Sequence, residues 1–207
     1  MTHEHEGDST APRGWYSRGY LRHFDAGEVP QSITFRLAGS IPTDLLRRWR
    51  SELQLARVTR RTVVDDERIR IEDYLNRGVG PTWLADPRLA GLVEGAFQFF
   101  DGSRYRLHAW VVMPNHVHVV VTPLADASVS HIVSSWKSFT AKRANALLGR
   151  HGAFWQEDYF DRFIRDEQHF AAVISYVEDN PVVAGLCARS EDWGFSSARH
   201  RQVQLSS

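Results

Sequence analysis

The sequence predicts an α+β domain in which helices cover an antiparallel sheet, in a ferredoxin-like arrangement. Strand-like and helix-like segments are interspersed along the chain, two β-branched strands are joined by the turn pair Pro114 and Asn115, and the helical segments each have one apolar face. A chain of 207 residues that is 43% hydrophobic can bury one sizeable core. We therefore expect one domain over residues 15–207, preceded by a flexible polar tail of residues 1–14.

The first strand is predicted at residues 32–39, where apolar and polar residues alternate as on a half-buried strand. An amphipathic helix follows over residues 42–61, because Pro42 suits a first helical turn and large apolar residues recur after it at helical spacing. The charged segment 64–82, which glycine and proline interrupt, leaves open whether this helix continues.

A second helix is predicted over residues 86–100, with Asp86 as N-cap and Pro87 in the first turn. The β-branched segments 105–113 and 115–122 then predict two strands. Because only a proline–asparagine turn separates them, we expect an antiparallel hairpin.

The C-terminal half predicts a helix, a short strand and another helix. Apolar residues at helical spacing indicate a helix over residues 128–150, and the aromatic segment 159–164 is a short strand candidate. The last helix is predicted over residues 166–180, with Asp166 as N-cap and Pro181 just past its end.

Charge gives no overall indication of a nucleic-acid partner. Lys plus Arg and Asp plus Glu both number 25, so any anion-binding site must be local. Residues 131–165 contain six basic and three acidic residues, a modest excess that suits phosphate contacts and an ordinary solvated surface equally.

The single cysteine, Cys187, excludes a disulfide within the chain and any multi-cysteine zinc site. It fits a reducing compartment, so we expect a cytoplasmic protein. The polar N-terminus lacks the apolar core of a signal peptide, and no run approaches the roughly 20 apolar residues of a membrane span. We expect no membrane association.

Two histidines lie one residue apart inside a run of valines. On a strand His116, His118 and Val120 share one face, and the two histidines lie about 6.5 to 7 Å apart, so both rings could reach one cation. The alternative is a pair on the solvated face of a half-exposed strand. His3 and His5 have the same spacing, but a disordered polar tail cannot hold metal ligands in place.

The last predicted helix carries a second group of polar residues. Tyr176 lies about 100° round from its apolar stripe, and Asn180 follows one turn later on the same flank. The helix would thus present a phenol and a carboxamide together at the edge of its buried face. Alternatively, Tyr176 is a core-edge residue with its hydroxyl in water, and Asn180 belongs to a helix terminus before Pro181.

Four segments then occur in a recognisable order: "WVVMPNHVHVVV", "FWQEDYFDRFIRDEQHF", "YVEDNPVVAGL" and "DWGFSSARH". Over roughly residues 30–200 the chain resembles the REP-associated tyrosine transposases, single-tyrosine HUH proteins related to insertion-sequence transposases. The resemblance implies that His116 and His118 are metal ligands, that Tyr176 is the nucleophile and that Asn180 is the third ligand.

The resemblance also implies a function. The expected enzyme is a tyrosine transposase that uses Mg²⁺ or Mn²⁺, cleaves single-stranded DNA beside a hairpin through a 5′-phosphotyrosine, rejoins it, and acts as a monomer or homodimer. The chain has no G-x-x-x-x-G-K-[ST] loop, so no nucleotide is implied. Two alternatives stay open: a metal-dependent phosphoesterase that activates water, with Tyr176 merely structural, and a domesticated protein that binds hairpin DNA without cleaving it.

Overall fold

The computed structural model describes residues 14–18, 21–25, 27–57, 63–124 and 127–205. The expected tail lies outside the described residues except for residue 14, which begins a strand. The strands are β1 (Gly14–Arg18), β2 (Leu21–Asp25), β3 (Gln31–Arg36), β4 (Tyr105–Val112), β5 (His116–Pro123) and β6 (Phe160–Phe163). The α-helices are α1 (Thr43–Arg57), α2 (Val63–Asn76), α3 (Pro87–Gln98), α4 (Val129–Leu147), α5 (Glu167–Val183) and α6 (Ser197–Leu205).

The central sheet has the strand order β4-β5-β3-β6, and its neighbouring strands are antiparallel. The chain runs from β3 through helices to the β4–β5 hairpin and then through α4 to β6, which is the ferredoxin-like connection. The predicted α+β class, the ferredoxin-like sheet and the hairpin are therefore confirmed. Strands β1 and β2 form a separate two-stranded sheet, which the sequence analysis did not predict.

The two faces of the central sheet pack against different helices. Val117, Val119 and Val121 of β5 belong to a large core shared with residues of α3 and α4. Val120 instead packs with Ala109 and other residues of β4 against α5. The alternation expected for a strand thus sets the α5 side of β5 apart from the main core.

Helices α3 and α5 begin at the N-cap residues that the sequence predicted. The Asp86 side chain accepts a hydrogen bond from the backbone of Arg88 at the start of α3, and the Asp166 side chain accepts one from His169 at the start of α5. The helix expected over residues 42–61 is described as α1 up to Arg57, its last residues lie outside the described ranges, and the segment 64–82 lies mostly in α2.

One predicted boundary is wrong: Pro181 lies inside α5, which continues to Val183. A helical proline removes one backbone donor. The last turn is nevertheless held, because the Ala184 and Leu186 backbone N–H groups donate to the carbonyls of Asn180 and Pro181. The final helical turn therefore forms although Pro181 lacks a backbone N–H donor.

Helix α6, which the sequence analysis did not predict, fastens α5 to the sheet. The Ser197 hydroxyl donates to Glu178 Oε1 over 2.6 Å and accepts from the Trp110 backbone N–H over 3.1 Å. Arg201 adds an ion pair to Glu178 at 3.1 Å. Glu178 lies on α5 between Tyr176 and Asn180, so this network fixes the helix segment that carries both. None of the described helices is long and apolar enough to span a bilayer.

Candidate active site

The two histidines of β5 are buried and face α5. Each is 1% exposed, their rings lie at 89° with centroids 4.8 Å apart, and their Nε2 atoms are 3.1 Å apart. The alternative of a solvated strand face is therefore wrong. The approach of two ring nitrogens requires either a proton or a shared cation between them, because two facing lone pairs repel.

Asn115 determines which nitrogen of His116 carries the proton. Its Nδ2 donates to the Leu75 carbonyl over 2.9 Å, which turns Oδ1 toward His116 Nδ1, 2.6 Å away. A carbonyl oxygen only accepts, so His116 Nδ1 is the protonated nitrogen and Nε2 presents a lone pair toward His118. Burial lowers the pKa of His116 to about 3, and hydrogen bonding with the nearby Asn180 side chain opposes this only in part, so the ring is neutral near pH 7.

Thr34 holds the second ring. Its Oγ1 lies 2.7 Å from His118 Nδ1, and Thr34 is the residue opposite His118 across the β3–β5 ladder. A hydroxyl can both donate and accept. Thr34 therefore suits either tautomer of His118: the one that donates from Nε2 to His116, and the one that leaves both Nε2 atoms free to bind an ion.

Helix α5 brings Tyr176 and Asn180 to the histidines, which is the arrangement that the family resemblance implied. The Tyr176 ring centroid lies 5.6 Å from that of His118 at an interplanar angle of 78°, and Tyr176 is only partly buried. Asn180 is 1% exposed, and its buried Oδ1 makes no well-formed hydrogen bond, although the Asn180 side chain lies near enough to His116 to raise the pKa of that ring slightly. One protomer thus supplies two imidazoles, a phenol and an amide oxygen to one place.

The donor set fits a divalent ion. Cis ligands of an octahedral ion with bonds of about 2.1 Å lie about 3 Å apart, and the two Nε2 atoms are 3.1 Å apart. The buried Asn180 Oδ1 lacks the partner that such an atom normally has, and a cation would satisfy it. Within the described ranges no cluster of three or more His, Cys, Asp or Glu forms. A site of two imidazoles and one amide would leave positions for substrate oxygens.

Sequence reasoning missed the residues that support this site. Thr34 is separated from His118 by 84 positions, and only the strand register brings them together. Asn115 was interpreted as a turn residue, although its position directly before His116 was a usable signal. Arg36, which is 5% exposed and opposite His116 in the ladder, was not selected either.

The basic segment 131–165 contributes one basic residue next to this site. Its aromatic residues Trp155 and Tyr159, which could in principle stack on unpaired bases, are 6% and 5% exposed, so neither offers a free ring face. The Lys137 ammonium donates to the backbone carbonyl of Glu157. Arg162 alone among the six basic residues lines a cavity that also includes Tyr176.

Comparison with known proteins finds one family that is similar to the part of the chain containing this arrangement. Residues 90–180, which include the histidine pair, Tyr176 and Asn180, match the family model for IS200-like transposases. A curated REP-associated tyrosine transposase of Escherichia coli (strain K12) is 30% identical over 100 residues, which are 48% of this chain and 57% of that relative. The chain therefore spans less than two thirds of the curated relative it matches.

A solved structure of a REP-associated tyrosine transposase bound to a REP hairpin has the same fold. It matches this chain with a TM-score of 0.55 at 19% sequence identity, and the match covers 90% of this chain and 86% of that one. The resemblance inferred from the four sequence segments is thus confirmed. Over the matched part of its length, the chain is similar to the IS200-like transposases and to a REP-associated tyrosine transposase.

Proposed function

We propose that this protein is a metal-dependent transposase that cleaves and rejoins single-stranded DNA next to hairpins through a 5′-phosphotyrosine on Tyr176. The observation that carries the proposal is the contact between the Tyr176 ring and the buried histidine pair, with the unpartnered Asn180 oxygen beside them. His116, His118 and Asn180 would hold Mg²⁺ or Mn²⁺. When bound, this ion would withdraw charge from the scissile phosphate and stabilise the transition state.

Tyr176 would act as the nucleophile. A free phenol has a pKa near 10, so a tyrosine nucleophile needs a position close to a cation to react near neutral pH. Attack in line on phosphorus forms the phenolic O–P bond and breaks the P–O3′ bond. The phenol proton passes to solvent, solvent supplies a proton to the leaving O3′, and the departing strand therefore ends in a 3′-hydroxyl. Because the ester retains the energy of the broken bond, a 3′-hydroxyl can reverse the step and rejoin the DNA.

The same proposal implies a substrate, a cellular location and an oligomeric state. The related transposase bound to a REP hairpin supports hairpin-bearing DNA as the ligand. Residues 15–207 would form one transposase domain that acts in the cytoplasm. Since a single chain supplies all four residues, we propose that a monomer suffices for cleavage, with a homodimer as the other possible assembly.

Cleavage assays test this function directly. Wild-type protein is incubated with labelled single-stranded DNA that carries a hairpin from the DNA around this gene, with Mn²⁺ or with a chelator. We expect cleavage only with the metal and none by the His116→Ala, His118→Ala double variant, whereas His151→Ala, which removes an exposed histidine, should cleave like wild type. Hairpin binding without cleavage would favour the domesticated binder, and cleavage by Tyr176→Phe would favour activated water.

A further inference from the structure

A second binding site adjoins the candidate nucleophile. A partly enclosed cavity of about 170 Å³ lies between β6 and α5, and Tyr176 forms part of its wall. The polar side chains around it are Ser32, Arg162, His169 and Tyr176, and its apolar wall includes Ile164 and Val173. Because the ring of Tyr176 contacts His118 and also lines this cavity, the cavity is next to the place where the DNA strand would be cut.

The strand register explains why Arg162 reaches this cavity. Ser32 pairs with Arg162 on one side and with Val120 on the other, and Val120 packs against α5. Residues directly opposite each other in a ladder project to the same face of a sheet. Ser32 and Arg162 therefore project to the α5 face, in the row next to the one that contains Thr34 and His118.

The polar groups of the cavity are hydrogen-bond donors. The Arg165 backbone N–H donates to His169 Nδ1 over 3.2 Å, so His169 carries its proton on Nε2. Arg162 has the planar guanidinium that suits phosphate oxygens. The hydroxyls of Ser32 and Tyr176 can also donate, and no acidic side chain occurs among the described residues that line the cavity.

We propose that this cavity binds a phosphate group of the DNA strand, one of the two that flank the scissile phosphate, through Arg162 and His169. An anion matches a set of donors without a carboxylate or carboxamide acceptor, whereas the edges of bases offer donors as well as acceptors. Holding a neighbouring phosphate would fix the strand so that the scissile phosphate faces Tyr176. This inference rests on the proposed function, because it takes the cut strand as the ligand.

Neutral linkages placed one at a time along the strand test the assignment. The probe is the single-stranded hairpin DNA used for cleavage, with a methylphosphonate at each position in turn, and wild-type cleavage locates the scissile phosphate. Binding is measured in the Tyr176→Phe background, so that the strand stays intact. We expect one flanking methylphosphonate to weaken binding about tenfold, the typical scale of a lost charge-assisted contact.

Arg162→Gln should weaken binding of unmodified DNA by a similar factor. The DNA affinity of this variant should then not change further when that one methylphosphonate is introduced. Such non-additivity is the signature of a direct contact. Arg162→Lys, which keeps the charge, should recover part of the affinity, and His169→Gln should show the same coupling more weakly. Arg165→Gln removes an exposed charge from the same segment and should be additive with every modification.

Three results would overturn the assignment. Additive effects of Arg162→Gln at every phosphate would show that the residue contributes only general charge. Coupling of Arg162 to an abasic site instead would show that the cavity holds a base. Loss of the folded state by both Arg162 variants, measured by thermal melting, would make the residue structural. Absence of any hairpin-DNA binding or cleavage by wild type is a different outcome, which contradicts the proposed function itself.

Discussion

Thr34→Val should show whether Thr34 orients His118 for metal binding, because its effects on metal affinity and on stability can be measured separately. Valine keeps the shape of threonine but lacks the hydroxyl that lies 2.7 Å from His118 Nδ1. His118 is 1% exposed, so water cannot easily replace the lost partner. The free energy of unfolding should fall by about 1 to 3 kcal/mol, the cost of an unsatisfied buried polar atom.

The same substitution should weaken metal binding strongly, although it removes only one hydroxyl group. An ion at the two Nε2 atoms needs the His118 tautomer that is protonated at Nδ1, and the Thr34 hydroxyl is what accepts that proton's hydrogen bond. Losing such an orienting partner typically reduces metal affinity about 10- to 100-fold. Calorimetric titration with Mn²⁺ measures the affinity, and urea unfolding measures the stability.

The chain contains a matched control for this experiment. Thr122 Oγ1 also lies 2.7 Å from a histidine nitrogen, Nε2 of His108, and both threonines are 7% exposed. Because His108 is only half-buried, Thr122→Val should cost about 0.5 to 1.5 kcal/mol and leave Mn²⁺ affinity unchanged. Equal Mn²⁺ affinities of the two variants would refute the role given to Thr34.

Three further outcomes are expected. Asn180→Leu removes a buried oxygen that has no hydrogen-bond partner, so the metal-free protein should keep its stability or gain up to about 1 kcal/mol, while Mn²⁺ binding is lost; a clear loss of stability would show that Asn180 has a structural partner. Glu178→Gln weakens the contacts with Ser197 and Arg201 and should lower the unfolding free energy by about 1 to 2 kcal/mol, with the largest loss of hydrogen-exchange protection in α5 and α6. Adding Mn²⁺ should raise the melting temperature of wild type but not of the His116→Ala, His118→Ala double variant, and an equal rise in both would place the ion elsewhere.

The features of the site that depend on local periodicity could be predicted from the sequence. Period two along β5 put His116 and His118 on one face, and the helical period put Tyr176 and Asn180 on one flank of α5. Both placements agree with the structure. The sequence alone did not establish that the two faces meet, because that contact depends on how α5 packs on the sheet.

The features that depend on distant partners were missed. The pairing of Thr34 with His118 exists only in the strand register, which no local pattern encodes. Helix α6 shows no continuous apolar stripe in "SARHRQVQL", and it is anchored instead by the polar contacts of Ser197 with Glu178 and Trp110. Pro181 was interpreted as a helix stop because proline lacks a backbone donor, whereas the N–H donors that complete the last turn of α5, those of Ala184 and Leu186, lie beyond it.

The most direct test of the account is the identity of the residue that becomes attached to DNA. Wild-type protein is incubated with Mn²⁺ and single-stranded hairpin DNA, the adduct is isolated under denaturing conditions, and its peptides are analysed by mass spectrometry after nuclease and protease digestion. We expect a nucleotide linked through its 5′-phosphate to the peptide that contains Tyr176, and no adduct with Tyr176→Phe, whose fold should persist. Cleavage without any adduct in wild type, or an adduct on another residue, would show that Tyr176 is not the nucleophile.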